Sequence, residues 1–209
     1  MLNKRQDPLF RPWKESKRLQ EKKLHHFITR HLYPFSTYYR RLFDEHKIDP
    51  DSIRKVEDLR KIPFTSKKDF LAGENPKERN LEFFLRPDEK LMKKHLPKQE
   101  LARLLLLGLT RGKPYVKGML EKEYKPIFLT ATGGTTNKPV SFLYTDYDIN
   151  NLRVYGKRIA DIFGMVKNER ALNVFPYAPH LAFWQTFFAG IASDFFILST
   201  GGGKTLGTE

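Results

Sequence analysis

The stretch KPIFLTATGGTTNKPVSFLY, residues 125–144, carries the clearest pattern in the chain. Two apolar, β-prone runs, residues 126–131 and 140–144, flank a segment of hydroxyls, two glycines, one Asn and one Lys. This pattern is typical of two strands joined by a polar loop. An ordinary hairpin turn has a similar composition, so a plain turn and a ligand-binding loop both stay open from these residues alone.

The polar segment contains the residue types that bind phosphate. Gly133 and Gly134 have no Cβ, so the backbone can bend until consecutive N–H groups point at an anion. Lys138 adds a positive charge, and Asn137 is among the few residues besides glycine that tolerate a positive φ. Short hydroxyl donors are added by Thr132, Thr135 and Thr136. The segment is therefore predicted to be a phosphate-binding loop.

The order TGGTTNKP, residues 132–139, resembles the phosphate-loop signature of the AMP-forming adenylating enzymes. That signature reads Ser/Thr-Ser-Gly-Thr-Thr-Gly-Lys-Pro, and the matching positions here are Gly134, Thr135, Thr136, Lys138 and Pro139. The chain departs from it at two positions. Gly133 stands where the family commonly has Ser, which removes a hydroxyl, and Asn137 stands where it commonly has Gly.

Composition sets limits on the class of protein. A chain of 209 residues with 40% hydrophobic content can form one sizeable core or two small ones. No apolar run approaches the length that spans a bilayer, and the N-terminal residues lack the apolar centre of a secretory signal. We therefore expect a cytoplasmic protein with no membrane partner. The absence of cysteine excludes disulfides, thiolate nucleophiles and Cys-based zinc sites.

The net charge of +14 raises the alternative of a basic nucleic-acid-binding module. Residues 1–128 hold 31 Lys and Arg against 18 Asp and Glu, whereas residues 129–209 hold 7 against 6. The basic residues are interleaved with acids and apolar helix positions, which indicates a solvated helical surface and argues against nucleic acid. The histidines His25, His26 and His31 lack i, i+3 or i+4 spacing, so no metal site is predicted.

Two helical regions precede the loop. Residues 13–48 show imperfect helical periodicity interrupted around Pro34. The next helix is predicted to be capped by Thr65 or Ser66, with Asp69 in its first turn, and to pack through Phe64 and Phe70. The order YYRRLFDEHKIDPDSIRKVEDLRKIPFTSKKDF resembles the N-terminal segment of the phenylacetate-CoA ligase branch of the same family. Compared with that branch, the basic residues 73–124 look like an insertion of two or three short helices. The predicted division is a helical segment 1–72, this insertion, and an incomplete α/β portion 125–209.

The residues after the loop predict a parallel βαβ unit. Residues 145–163 form an amphipathic helix that begins at Thr145 and Asp148, with one apolar face made by Ile149, Leu152, Tyr155, Ile159, Ile162 and Phe163. Two short apolar runs, residues 171–175 and 195–199, read as buried strands on either side of an apolar helix 180–192. The fold class is therefore α/β, with a helical N-terminal region followed by part of a mixed or parallel sheet domain.

The segment PYAPHLAFW, residues 176–184, follows the first of these strands. Ligands bind at the carboxyl edge of parallel sheets, so the side chains predicted to line a pocket for an apolar or aromatic substrate are Tyr177, His180, Phe183 and Trp184. Aromatic residues at helical spacing also form cores, and a lone His is commonly structural, so that alternative stays open. The family carries an aromatic or histidine position near the entrance of its acyl pocket, which Tyr177 and His180 resemble.

The resemblance implies an ATP-dependent ligase that joins a carboxylate to AMP and then passes the acyl group to a thiol, usually coenzyme A, with Mg²⁺. Thr132, Thr135, Thr136 and Lys138 would hold the outer phosphates of ATP, on the turn formed with Gly133, Gly134 and Asn137. No catalytic residue or metal ligand is assigned. Because later family motifs are not found, we expect an N-terminal part of such a ligase, inactive alone and self-associating through an uncovered sheet face. A non-catalytic binding or scaffold protein that retains the fold is the other alternative.

Overall fold

The computed structural model describes residues 11–72, 76–132, 140–177 and 180–202. The chain divides into two compact units, Met1–Val116 and Lys117–Glu209. The three-part division at residues 72 and 124 stays a prediction. Among the described residues, no helix is long and apolar enough to cross a membrane.

The first unit begins with an interrupted helix. Helix α1, Trp13–Phe27, continues into a π-helical turn, Ile28–Leu32, and a single α-helical turn, Tyr33–Phe35. The helix ends at Ser36, whose extended backbone starts helix α2, Thr37–Glu45. The Ser36 hydroxyl accepts a hydrogen bond from the backbone N–H of Tyr39 at 3.3 Å, which satisfies one of the first free N–H groups of α2. The interruption predicted around Pro34 therefore falls at Ser36.

The remaining helices of this region follow two 3₁₀ turns, Pro50–Ser52 and Val56–Lys61. Of the two predicted capping residues, Thr65 and Ser66, the N-cap is Ser66. The Asp69 carboxylate accepts hydrogen bonds from the backbone N–H and the hydroxyl of Ser66, both at 2.7 Å. Residues 76–124 form four helices where the sequence predicted two or three short ones, and two of them have 14 and 12 residues. In order, the helices are α3 Lys67–Leu71, α4 Pro76–Leu81, α5 Glu89–His95, α6 Lys98–Arg111 and α7 Lys113–Tyr124.

The core of the first unit joins the π-helical turn to the segments that follow it. Ile28, Phe43 and Ile53 are buried together. A second cluster stacks the Phe83 ring between Phe70, at 3.9 Å, and Tyr38, at 4.0 Å. The prediction that Phe70 packs is confirmed. The same prediction for Phe64 was wrong, because its side chain is fully exposed in the extended segment before α3.

The second unit contains a hairpin and a parallel strand pair. Strands β1, Phe128–Ala131, and β2, Ser141–Tyr144, are antiparallel and pair Phe128 with Tyr144 and Ala131 with Ser141. Strands β3, Arg170–Asn173, and β4, Phe196–Ser199, are parallel and are connected through helix α9, Leu181–Ala192. The predicted βαβ unit is confirmed. The strands are short because flanking apolar residues such as Val174 and Phe175 leave the ladder.

Helix α8, Asp146–Ile162, begins at the predicted cap, where the Thr145 hydroxyl and the Asp148 carboxylate bond to each other's backbone N–H groups. The face that α8 buries is Ile149, Gly156 and Ala160. The predicted apolar face is largely exposed at Tyr155, Ile159, Ile162 and Phe163. The face that contains Gly156 and Ala160 packs against α9 because these small residues let the two helices approach closely. The larger residues on the adjoining face would hold α9 farther away.

One face of the β3–β4 pair is also exposed. Ala171 and Asn173 point to the side covered by α9, whereas Leu172, Val174, Phe196 and Leu198 are exposed on the other side. Parallel sheets are normally covered on both faces. The second unit therefore presents an apolar surface, here called the outer sheet face and defined by these four exposed residues.

Candidate functional site

The end of β1 lies beside the start of α9. Ala131 forms a parallel β-bridge with His180, the residue that precedes α9. Because Thr132 follows Ala131 directly, the first residue of the candidate phosphate loop is close in the fold to the candidate pocket residue His180. The sequence predicted each group by itself, but nothing in their spacing predicted that they meet.

Thr132 and Val140 close the base of the candidate phosphate loop. The backbone N–H of Thr132 donates to the carbonyl oxygen of Val140 at 3.0 Å, and the N–H of Val140 donates to Oγ1 of Thr132 at 3.2 Å. The hydroxyl of Thr132 is an acceptor in this bond, which leaves its own hydrogen for another acceptor. The other predicted loop residues, Gly133, Gly134, Thr135, Thr136, Asn137 and Lys138, lie outside the described residues.

His180 lies between the end of β1 and the start of α9. Its ring stacks on Phe175 with centroids 6.2 Å apart and 17° between the planes. Within the described residues its Nδ1 is buried without a hydrogen-bond partner, as is Oγ of Ser199 at the end of β4. Buried polar atoms are seldom left unpaired in native proteins. Both atoms are therefore candidates to form a hydrogen bond with a polar group of a ligand or of another part of this chain.

Tyr177 connects the carboxyl ends of the two parallel strands. Its hydroxyl donates to the carbonyl oxygen of Ser199 at 2.9 Å, while its ring lies 4.7 Å from that of Phe183. The ring also covers Gly201, where an added Cβ would stand 1.9 Å from a Tyr177 ring atom. Gly201 has φ +63°, so glycine is suited to this position for both its conformation and its size.

Phe183 and Trp184 belong to a cluster of aromatic rings on α9. Phe183 is 2% exposed, which makes it a core residue of this unit. Trp184 is half-buried and meets the rings of Phe183 and Phe128 edge-on, each at 5.0 Å. We call the following residues the aromatic cluster: Phe128, Tyr177, Phe183, Trp184, Phe187 and Phe188.

Contributors of two kinds, aromatic rings and one polar side chain, were missed from the sequence. Phe128 and Phe187 could have been found from their spacing, because Phe128 alternates with Thr130 along β1 and Phe187 follows Phe183 by one helical turn. Asn173 was also missed. It could have been found because it is a polar residue within an apolar strand run.

Asn173 fixes the loop that carries the candidate pocket residues. Its side chain is 1% exposed, with Nδ2 donating to the carbonyl oxygen of Phe183 at 3.1 Å and Oδ1 accepting from the N–H of Phe175 at 3.3 Å. Its own carbonyl oxygen accepts from the N–H of Thr200 at 3.0 Å. Through its side chain and its backbone carbonyl together, Asn173 thus joins the end of β3 to the first turn of α9 and to the end of β4.

The described part of the site is aromatic and contains few charges. Burial, and to a smaller extent the nearby Asp148 carboxylate, raises the pKa of Tyr144 on β2. No group of three or more metal-binding side chains comes together anywhere in the described ranges. An apolar or aromatic ligand with one polar end suits this composition.

Comparisons with known proteins agree with this architecture. No protein-family model matches the chain. A phenylacetate-coenzyme A ligase of Thermus thermophilus is 32% identical over 114 residues, which are 54% of this chain and 22% of that protein. A solved 2-hydroxyisobutyryl-CoA ligase in complex with 2-HIB-AMP and CoA has TM-score 0.65 and 14% identity, covering 93% of this chain and 34% of that one.

A second structure of that ligase, in the postadenylation state with 2-HIB-AMP, has TM-score 0.61 and 12% identity over 90% of this chain and 31% of that one. At these identities the solved structures establish the fold. The chain spans about a fifth of the curated relative and about a third of the solved ligases.

Proposed function

We propose that the chain is part of a member of the AMP-forming adenylating superfamily, and that it carries the phosphate loop and part of the acyl site of an ATP-dependent carboxylate–CoA ligase. The observation that supports this most directly is the bridge between Ala131 and His180. It brings the base of the candidate phosphate loop next to the candidate acyl site, as a reaction between a nucleotide and a carboxylate requires.

The phosphate side of the site rests on the loop that follows Thr132. Its hydroxyls, glycine N–H groups and Lys138 would bind the β and γ phosphates of ATP. When the carboxylate oxygen attacks the α phosphorus, the bond to the β-phosphate oxygen breaks and pyrophosphate leaves. Negative charge then accumulates on the leaving group, and donors fixed in place stabilise it.

The acyl side rests on the carboxyl edge of the parallel strands. His180 bridges Ala131 at the end of β1, and the rings of Tyr177 and Trp184 both pack against Phe183. Trp184 presents an apolar surface, and the unpaired Nδ1 of His180 presents a polar atom. The substrate class that fits is a carboxylic acid with an aromatic or acyl body. Coenzyme A, the thiol used by the named relatives, is the acceptor in this proposal.

Mg²⁺ would neutralise phosphate charge in this reaction. The described residues supply no cluster of carboxylates for it, so it would be bound mainly by the phosphates and water, as Mg²⁺ commonly is.

We propose that the 209 residues do not catalyse the reaction alone, because they correspond to about a third of the ligases that share the fold.

The phosphate side is tested by titrating the chain with ATP·Mg²⁺ in a calorimeter. Lys138→Ala should weaken binding about tenfold, because it removes a charged contact to phosphate. Lys125→Ala is the matched control, since Lys125 is exposed and precedes β1. Equal effects of the two substitutions would contradict the assignment of the loop.

The acyl side is tested with the fluorescence of Trp184 in a Trp13→Phe background, because the chain has only these two tryptophans. A panel of aryl and fatty acids should quench it, and His180→Ala should weaken that response.

Clear ATP–pyrophosphate exchange by the chain would refute the proposed inactivity. Absence of ATP binding would favour a non-catalytic scaffold protein. Salt-sensitive binding to any nucleic acid would favour a basic nucleic-acid-binding module.

A further inference from the structure

Helix α6 is apolar on two opposite sides. Leu104 and Leu107 are half-buried, whereas Leu105, Leu106 and Leu109 are exposed at 61%, 61% and 86%. The exposed leucines and Ala102 follow i, i+3, i+4 and i+7 spacing, so they share one side of the helix. We call Leu105, Leu106 and Leu109 the leucine ridge.

The side of α6 that carries Glu100 is already occupied. The Glu100 carboxylate forms an ion pair with Arg30 of the π-helical turn and accepts a hydrogen bond from Nε of Arg103 at 2.8 Å. At 100° per residue, Leu105 and Leu109 lie on the opposite side of the helix from Glu100. The leucine ridge therefore points away from the contacts that attach α6 to the rest of the first unit.

Positive charges stand at both ends of the ridge. Lys98 begins α6, and Arg111 and Lys113 follow Leu109. The guanidinium of Arg111 lies 5.0 Å from the ring centroid of Tyr115 and donates to the Tyr115 hydroxyl at 3.0 Å. Residues 89–124 as a whole hold 9 Lys and Arg against 4 Asp and Glu. The surface thus combines exposed apolar area with a local excess of positive charge.

We propose that the leucine ridge and its flanking cations bind the surface of an anionic lipid bilayer. Helices that lie in the membrane interface bury an apolar side among acyl chains and place Lys and Arg at the level of the phosphates. Tyr115 is of the type enriched at that level, with an apolar ring and a polar hydroxyl. The contact would be peripheral, with only one side of α6 entering the lipid.

A bilayer fits this surface better than a protein partner does. The three leucines form a convex row on one helix, and lipid adapts to such a row without a complementary groove. The cations at both ends match a continuous negative surface. This inference does not depend on the phosphate loop or the acyl site, so it stands or fails apart from the proposed ligase function.

The test is flotation of the full chain with vesicles of phosphatidylcholine alone and of phosphatidylcholine mixed with phosphatidylglycerol. We expect binding to the mixed vesicles that weakens with added salt. The triple substitution Leu105→Ser, Leu106→Ser and Leu109→Ser should lower partitioning at least about tenfold. Lys98→Gln with Lys113→Gln should weaken binding and reduce its dependence on salt.

A matched control replaces three exposed apolar residues of α8, with Ile159→Ser, Ile162→Ser and Phe163→Ser. This variant should bind vesicles like the unmodified chain, and circular dichroism should show that both variants fold. Equal loss in the two variants, or no binding to anionic vesicles, would overturn the proposal. Self-association that disappears only in the ridge variant would identify a second copy as the occupant and also overturn it.

Discussion

Gly156 of α8 lies so close to Ala189 of α9 that a Cβ added to Gly156 would stand 2.4 Å from the Cα of Ala189. The contact is with backbone, which has little freedom to move aside. Because α9 carries most of the aromatic cluster, the distance between these two helices also sets where Phe183 and Trp184 lie.

Gly156→Ala should lower the free energy of unfolding by about 1–3 kcal/mol, because the overpacked methyl separates α8 from α9. Gly118→Ala is the control, since Gly118 also lies within a helix and an added Cβ would meet nothing within 4 Å. It should raise stability by roughly 0.5–1 kcal/mol through helix propensity. Urea unfolding measures both, and a stabilised Gly156→Ala variant would show that the helices are not in close contact.

The contact between Gly201 and Tyr177 predicts a second pair of substitutions. Gly201 and Gly164 have similar φ values, +63° and +67°, but an added Cβ meets a neighbour only at Gly201. Both alanine variants should lose about 1–2 kcal/mol from the left-handed backbone. Gly201→Ala should lose more, because the methyl displaces the Tyr177 ring.

Unfolding in denaturant should therefore rank Gly201→Ala below Gly164→Ala in stability. The additional loss should shrink in a Tyr177→Ala background, where the ring is absent. If the two glycine variants are equally stable in both backgrounds, Tyr177 does not pack on this turn.

Asn173→Ala should lower the free energy of unfolding by about 1–3 kcal/mol, because it leaves the Phe175 N–H without its acceptor and the Phe183 carbonyl without one donor. Asn150→Ala on the exposed side of α8 should change stability by less than about 0.5 kcal/mol. The near-ultraviolet circular dichroism of the aromatic cluster should change only in the Asn173 variant. An unaltered spectrum would mean that Asn173 does not position these rings.

The stability of the chain should depend on pH through His31. Burial, reinforced by His26 and Arg30 and opposed by Glu100, lowers the pKa of His31 from 6.5 to about 4. The folded state therefore prefers the neutral ring. As the pH falls from 6.5 toward 4, the unfolded chain takes up a proton that the folded chain does not, so stability decreases over this interval and levels off below it.

His31→Gln should reduce this slope, measured as the free energy of unfolding in urea at several pH values. Burial also lowers the pKa of His26 and His95, so part of the slope should remain. His46→Gln is the control, because His46 is exposed at the end of α2. A slope that is unchanged by His31→Gln would contradict the neutral state of the half-buried His31 ring.

The outer sheet face should drive self-association. Leu172→Ser with Phe196→Ser removes two exposed apolar side chains, one from each strand, and should shift the chain toward the monomer in size-exclusion chromatography with light scattering. Val154→Ser with Tyr155→Ser, exposed on α8, should leave the distribution unchanged. A concentration-independent monomer for the unmodified chain would count against this expectation.

The sequence was sufficient for features set by local chemistry. The cap at Thr145 and Asp148 predicts the start of α8, and the apolar runs around α9 predict the βαβ unit, both without long-range information. The predicted apolar face of α8 is buried at Ile149 but exposed at its C-terminal members, because apolar residues cover two sides of that helix. The choice between them depends on how closely α9 can approach, which a hydrophobicity pattern does not contain.

The candidate site was predicted only in separate pieces. Thr132, Tyr177, His180 and Trp184 were found from loop composition and strand order, but their proximity depends on the Ala131–His180 bridge. Asn173 was missed because a polar residue within a strand looks unfavourable until its partners are known. The rings of His26 and His31 stand 5.2 Å apart because of the π-helical turn, although their spacing does not match a standard helix.

That π-helical turn makes the chain tolerant of a change in length at one point. A π-helical turn holds one more residue than an α-helical turn, and each residue of a regular helix advances the chain by about 100°. Deleting one residue of Ile28–Leu32 would leave an ordinary α-helical turn, and Tyr33 would keep nearly its present direction against the core. Deleting one residue within α1 would instead turn every side chain that follows by about 100°, so it should do more damage.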